Sequence, residues 1–151
     1  MASYEQSISE ICSTSFVIRG SITNEQTFLN NFRTVVGSDS SMTAIEDSNP
    51  DNWPISWSDV TAQYAVIEAG EPMEVLKQER NQKLIECDKI TLKYMSQNLP
   101  MPDEWKTYMQ ALRDLPDNCT PVLEPSVNIM SMHGKQLTSA SVIWPTKPSS
   151  E

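Results

Sequence analysis

Apolar residues in the second half of the chain recur at helical spacing. Over residues 72–97 they alternate with Lys, Arg, Glu and Gln, which predicts a long amphipathic helix with a narrow apolar stripe. Pro100 and Pro102 must interrupt this helix, because proline has no backbone donor. A second helix is predicted over 102–115. The first stripe consists of Met73, Leu76, Leu84, Cys87, Leu92 and Met95, and the second of Trp105, Tyr108, Met109 and Leu112. We expect the two stripes to pack together, although the first is too long for so short a chain to cover.

A shorter helix is predicted just before residue 70. Ser56 suits the N-cap position, and an apolar stripe follows at Trp57, Val60, Tyr64 and Ile67. Gly70 is predicted to end this helix, since glycine is typical just after a helix C-terminus, and Pro72 to begin the next one.

In the first third of the chain, the pattern predicts short strands and turns around one helix. A strand is predicted over Ser15–Ile22, where β-branched and aromatic residues run into Gly20. A helix is predicted over Thr23–Val36, behind a Thr-x-x-Gln box and before Gly37. One further short strand is expected around Met42–Ile45.

The C-terminal region is rich in proline and carries two strand-like segments. They are Val127–Met132 and Ala140–Trp144, with the dipeptide His133-Gly134 as a turn that joins them into a hairpin. The tail beyond Trp144 is expected to be extended. The pattern as a whole predicts an α+β fold with regions 1–55, 56–116 and 117–151 in one folding unit.

Charge and composition narrow the classes of partner. The 151 residues carry a formal net charge of -9, and no Lys or Arg occurs from Thr34 to Leu76. Such a surface repels phosphate backbones, so we expect no nucleic-acid partner. No stretch has the roughly 20 apolar residues of a membrane span, and the first eleven residues lack the basic and apolar segments of a secretory signal. We therefore expect no membrane partner and synthesis in a cytoplasm, where Cys12, Cys87 and Cys119 stay reduced.

The inventory of reactive groups is small. His133 is the single histidine, and the sequence has no P-loop, G-x-S-x-G or H-E-x-x-H motif. Asp47-x-Asn49-x-Asp51 begins like a calcium loop, but Asn52 stands at the sixth position, where glycine is needed, and Ser58 at the twelfth, where an acid is needed. The sequence therefore predicts no catalytic residue, no cofactor and no metal site. A small enzyme is the least favoured of the alternatives.

Three separated blocks in the second half carry a resemblance to a known family. They are Glu71-Pro72-Met73 with the run Gln78–Leu84 and Asp88, then Trp105-x-x-Tyr108-x-Gln110-Ala111-Leu112-Arg113-Asp114-Leu115-Pro116, and finally the run Val142–Pro148. Over residues 71–148 the chain resembles the tail-assembly-chaperone-like domain of tailed bacteriophages. Similar segments occur in tail-fibre assembly proteins and in small virion proteins of marine and cyanobacterial viruses.

The resemblance implies a viral protein, made in the host cytoplasm, that acts by protein–protein contact. We expect a small virion subunit, associated with the tail or capsid, whose partners are tail, fibre or capsid subunits or copies of itself. The alternative is an assembly chaperone that leaves once a tail or fibre has formed.

Six residues are predicted to bind partners, on the second helix and near the C-terminus. They are Tyr108, Gln110, Arg113, Asp114, Ile143 and Trp144. Trp105 and Leu112 are expected to fill the core instead, because buried aromatic and aliphatic side chains usually serve packing first. The segment 117–151 is expected to lie across a neighbouring subunit, anchored by Ile143 and Trp144.

Overall fold

The computed structural model describes residues 2–126 and 135–149, and it confirms the α+β fold class. The elements in chain order are α1 Tyr4–Ile11, β1 Phe16–Ile18, α2 Glu25–Asn31, β2 Phe32–Ser38, β3 Ala44–Asp47, α3 Trp57–Ser96, α4 Asp103–Asp114, β4 Leu123–Pro125 and β5 Lys135–Leu137. Two compact units divide the chain, residues 1–69 and residues 70–151. The boundary falls inside α3.

The N-terminal unit is built around a three-stranded antiparallel sheet in the order β1-β2-β3. A bulge between Val35 and Gly37 shifts the register of β2 on β3. The core beside this sheet is aromatic, with Phe28, Phe32 and Trp53 buried and ring centroids 4.9–5.4 Å apart. Ile8, Ile22, Ile55 and Val60 complete this core.

Two predictions in this unit need correction. The helix predicted over 23–36 ends at Asn31, and residues 32–38 form β2. Phe28 and Phe32 are four residues apart and fit a helix. Thr34, Val35 and Val36 are β-branched, however, and such residues favour a strand. In addition, α1 was not predicted. Ser3 caps it by accepting a hydrogen bond from the Gln6 N–H at 3.1 Å, and that Ser-x-x-Gln spacing was the available signal.

The helix predicted to stop at Gly70 does not stop. α3 runs for 40 residues through both Gly70 and Pro72. A proline within a helix removes the hydrogen bond to the carbonyl four residues earlier, here that of Glu68. Glu68 lies at an exposed position, so water can satisfy that carbonyl. Gly70 therefore does not end the helix, and Pro72 does not begin a new one.

The C-terminal unit contains a hairpin, as expected, but with different strands. β4 pairs antiparallel with β5, in the register Leu123↔Leu137 to Pro125↔Lys135. The predicted first strand, 127–132, and the turn at 133–134 lie outside the described residues. The strand predicted over 140–144 is wrong, because residues 140–141 belong to a turn and residues 142–144 have no regular secondary structure.

Candidate functional site

The four apolar side chains of α4 are buried and hold this helix against α3. Trp105, Tyr108, Met109 and Leu112 form one cluster with Cys87, and Leu84 and Ile90 pack at its edge. The Trp105 and Tyr108 rings meet edge to face with centroids 5.9 Å apart. The packing of the two helices by their apolar stripes was predicted and is confirmed, as is the core position of Trp105 and Leu112.

The two titratable groups within this cluster are not poised for chemistry. Burial raises the pKa of the Cys87 thiol, and it likewise raises the pKa of the Tyr108 phenol. Both groups therefore stay protonated at neutral pH. Cys87 is consequently a packing residue in this cluster, because the thiolate is the reactive form of cysteine.

The segment after β5 folds back onto its own unit. Val142 is 4% exposed and clusters with Leu76 and Leu115. Trp144 packs against the same cluster and also against the α3–α4 cluster, and the Lys83 Nζ lies 4.8 Å from the centroid of its ring. Ile143, between them, is 83% exposed. Packed and exposed side chains thus alternate over residues 142–144.

The expectation of an arm that leaves its own unit is therefore corrected for residues 142–144. The proline-rich composition of this region suggested a free arm, since such a segment cannot form regular backbone pairs. Instead, two large apolar side chains at alternate positions attach it to α3 and α4, and burial of apolar surface of this size outweighs the missing backbone pairing.

A groove lies between α4 and the end of the chain. Its volume is about 680 Å³. The residues that line it are Asp103, Glu104, Thr107, Tyr108 and Ala111 on α4, and Pro145, Thr146, Lys147, Pro148 and Ser149 on the C-terminal segment. Lys147 Nζ lies 3.6 Å from a carboxylate oxygen of Glu86 on α3, and both side chains are exposed. The groove thus has one helical wall and one proline-rich wall.

The structure brings only some of the predicted partner-binding residues together. Tyr108 lines the groove, although most of its side chain is buried. Gln110 Nε2 donates to Asp114 Oδ1 at 2.8 Å on an exposed face of α4. Arg113 is exposed and does not line the groove, Ile143 is exposed, and Trp144 is packed. Partner binding by these six residues remains a prediction.

Sequence reasoning did not identify the groove. Glu104, Thr107, Tyr108 and Ala111 follow the i, i+3, i+4, i+7 spacing of a second stripe on α4, and this was the available signal. The opposite wall comes from residues 145–149, more than 30 positions away, and no local pattern indicates that fold-back.

Besides the groove, an exposed apolar surface lies along the distal, C-terminal half of α3. The predicted stripe is covered at Leu76 and Cys87, whereas Leu92 and Met95 are 65% and 70% exposed. Ile85 and Leu99 are exposed as well. Within residues 2–126 and 135–149, the stripe is therefore covered only in part, as the length of the pattern predicted.

The described residues include no group of three or more His, Cys, Asp or Glu side chains close enough to hold a metal ion. At the sequence that begins like a calcium loop, Asp47 accepts hydrogen bonds from the Asn49 N–H and the Asn52 side chain, both at 2.8 Å. These side chains stabilise a turn before α3. His133 lies outside the described residues. Nor is any helix in 2–126 and 135–149 long and apolar enough to cross a bilayer.

Comparison with known proteins gives one result. No curated protein and no solved structure matches the chain. The family model described as phage tail assembly chaperone protein matches residues 73–149, which is half of the chain and nearly all of the unit 70–151. The match includes α4, both walls of the groove and the distal half of α3, and it confirms the resemblance found in the sequence. The chain belongs to the phage tail assembly chaperone family.

Proposed function

We propose that this protein is a tail assembly chaperone that binds a tail protein transiently through its C-terminal unit and is released as the tail forms. The observation that carries the proposal is the coincidence of the family match, 73–149, with one compact unit, 70–151. A function shared by a family is expected to reside in the part that the family shares. The chain has a role in phage tail assembly, and its proposed action is binding.

The groove between α4 and residues 145–149 is the proposed contact site. Its lining combines an aromatic ring, a small side chain and two prolines, namely Tyr108, Ala111, Pro145 and Pro148. Concave surfaces of this composition suit an extended peptide segment, because the peptide buries apolar atoms while its backbone remains hydrated along one side. Ile143 precedes the groove wall in sequence and is exposed, but it does not line the groove.

The groove is tested by a substitution that fills it. Ala111→Arg places a long side chain in the groove, and Ala65→Arg makes the same change at an exposed position of α3 in the other unit. We expect the full-length protein to capture one or more tail proteins of its own phage in a pull-down. Ala111→Arg should reduce this capture at least about tenfold, the effect of losing roughly 1.4 kcal/mol. Ala65→Arg should leave the capture of tail proteins unchanged. Equal capture by both variants would refute the groove as the contact site.

Release is tested on the particles themselves. A departing chaperone is expected in complexes isolated from infected cells before tail completion, and absent from purified mature particles by quantitative mass spectrometry. Detection in mature particles at a fixed copy number would refute release. It would support the alternative, a small virion subunit retained in the tail or capsid.

A further inference from the structure

The N-terminal unit contains a hollow that combines aromatic walls with two carboxylates. It lies outside the residues that match the family, and its volume is about 350 Å³. The residues of its wall that matter here are Phe28, Trp53, Trp57, Pro54, Glu25 and Asp59. Pockets of about 300 Å³ and more accommodate small ligands or single long side chains.

The aromatic wall is fixed by contacts within the unit. The Phe28 ring meets Trp53 edge to face at 5.4 Å and Trp57 at 5.7 Å. Trp53 Nε1–H donates to the Asp47 carbonyl at 3.0 Å, and Trp57 contacts the Tyr4 ring at 4.9 Å. The orientation of both indoles is thereby set before any ligand arrives. Trp53 is 8% exposed and Trp57 is partly exposed, so Trp57 is the more accessible of the two indoles. The faces of indole rings attract cations.

The two carboxylates are exposed beside these rings. Asp59 Oδ2 accepts hydrogen bonds from the Ser56 hydroxyl at 2.6 Å and from the Ser56 N–H at 2.8 Å. These bonds hold the pKa of Asp59 below its usual range, so the group is ionised at neutral pH. Glu25 occupies the first turn of α2. The helix ends contribute only partial positive charge, about half an elementary charge, against two full negative charges.

Among the described residues of this unit, no basic side chain lines the hollow. Residues 1–69 contain nine acidic residues, with Arg19 and Arg33 as the only basic ones. Arg19 pairs with Glu46 at 2.6 Å, and Arg33 Nη1 donates to the Leu29 carbonyl at 3.1 Å. Neither arginine lines the hollow. A positive group that complements these carboxylates therefore has to come from outside residues 1–69.

We propose that this hollow is a docking site for an arginine side chain presented by a partner protein. The guanidinium stacks on an indole face and donates to the carboxylates of Glu25 and Asp59. Arginine suits the site better than lysine does, because its planar group combines stacking with paired hydrogen bonds to a carboxylate. The site is separate from the groove, and it gives the chain a second point of attachment to a partner.

The test follows the two indole signals in the full-length protein. A peptide of sequence acetyl-Gly-Arg-Gly-amide is titrated into ¹⁵N-labelled protein, and the Trp53 and Trp57 Nε1–H resonances are recorded. The matched probe replaces arginine by citrulline, which has almost the same shape and no charge. We expect saturable shifts of both resonances with the arginine peptide and none with the citrulline peptide.

A charge-neutralising variant locates the interaction. Glu25→Gln removes one wall carboxylate, and Glu68→Gln makes the same change at an exposed position of the same unit that does not line the hollow. Glu25→Gln should raise the dissociation constant of the arginine peptide about two- to fivefold, the range for one exposed ion pair. Glu68→Gln should leave it unchanged.

Four outcomes would overturn the proposal. The first three are the absence of a saturable shift, equal shifts with the citrulline peptide, and equal affinities of the two variants for the arginine peptide. The fourth is a shift of the same resonances with inorganic phosphate, which would assign an anion to the site. Indole shifts that depend on protein concentration alone would replace the arginine-bearing partner by a second copy of this chain.

Discussion

At the scale of single residues, the C-terminal unit contains a part-buried ion pair between α3 and β5. Glu71 Oε2 accepts from Lys135 Nζ at 2.9 Å, and the Glu71 side chain is only 8% exposed. Glu71 belongs to α3 and Lys135 to β5, so the pair ties the hairpin to the helix. The hydrogen bond from Lys135 lowers the pKa of Glu71, although burial opposes this shift.

The pH dependence of stability follows from the direction of this shift. A carboxyl group with a lowered pKa in the folded state contributes stability above its unfolded pKa of about 4.3, and this contribution is lost as the pH falls through the folded value. Glu71→Gln should therefore lower the free energy of unfolding by about 1–3 kcal/mol at pH 7, since a charge-assisted hydrogen bond is removed. The difference from the unsubstituted protein should shrink as the pH falls below about 4.3.

Urea denaturation monitored by circular dichroism, repeated from pH 7 down to acid, measures both effects. Glu74→Gln is the control, because Glu74 forms a comparable 2.9 Å pair with Lys77 but its side chain is 64% exposed. That variant should change stability by less than about 1 kcal/mol. A difference between Glu71→Gln and the unsubstituted protein that stays constant with pH would contradict the assignment.

At the scale of elements, α4 and the distal half of α3 were predictable because their apolar residues repeat at the helical period and their partners lie close in sequence. Phe32–Ser38 was not, because Phe28 and Phe32 fit a helix locally and only the pairing with β1 and β3 decides in favour of a strand. Residues 142–144 show the same limit. Their fold-back depends on a cluster with Leu76 and Leu115, which are remote in sequence.

The candidate site was predictable to the same extent. The apolar face of α4 followed from the sequence, and with it the separation of core residues such as Leu112 from exposed ones such as Gln110. The groove did not follow from the sequence, because it has two walls and only the α4 wall consists of residues at helical spacing. The proline-rich wall, 145–149, carries no pattern that indicates which surface it contacts.

Gly70 is a position in α3 where alanine is expected to stabilise the protein. It lies in the interior of α3, and a Cβ added there meets nothing within 4 Å. Gly70→Ala should therefore raise the free energy of unfolding by about 0.5–1 kcal/mol, because alanine loses less backbone entropy on entering a helix. Chemical denaturation of the two proteins under identical conditions measures the change.

Gly20 provides the opposite control. Its φ is +131°, and an added Cβ would lie 3.2 Å from Asn31 Nδ2. Gly20→Ala should lower stability by about 1–3 kcal/mol, the usual cost of a strained backbone conformation. For the first substitution, a lower free energy of unfolding of Gly70→Ala would contradict the prediction and show that α3 requires a glycine at this position.

At the scale of the whole molecule, each compact unit has a core of its own. The aromatic cluster around Phe28 and Phe32 lies within residues 1–69, and the clusters around Trp105 and Leu76 lie within 70–151. Family membership concerns the second unit, whereas the proposed arginine site belongs to the first. Damage to one core is therefore expected to leave the other folded.

Deletion of residues 140–151 tests that independence and the role of the C-terminal segment together. The deletion removes Val142, which is buried with Leu76 and Leu115, and Trp144, which covers two clusters. Loss of a fully buried aromatic side chain costs about 3–5 kcal/mol, and loss of the partly buried Trp144 together with the buried Val142 is expected to be of similar size. Nuclear magnetic resonance spectra of the truncated protein should lose the dispersed signals of the unit 70–139 and retain those of residues 1–69.

Single substitutions in the same segment separate packing from binding. Val142→Ala should lower the stability of the C-terminal unit by about 1–3 kcal/mol, because it leaves a cavity beside Leu76. Ile143→Ser, one position away, should change stability by less than about 0.5 kcal/mol, since that side chain is 83% exposed. If Ile143 contacts the tail protein, Ile143→Ser should weaken capture while the fold stays intact. A truncated protein that keeps its C-terminal unit folded would show that residues 140–151 are not part of the core, and the free arm expected from the composition would then be the better description.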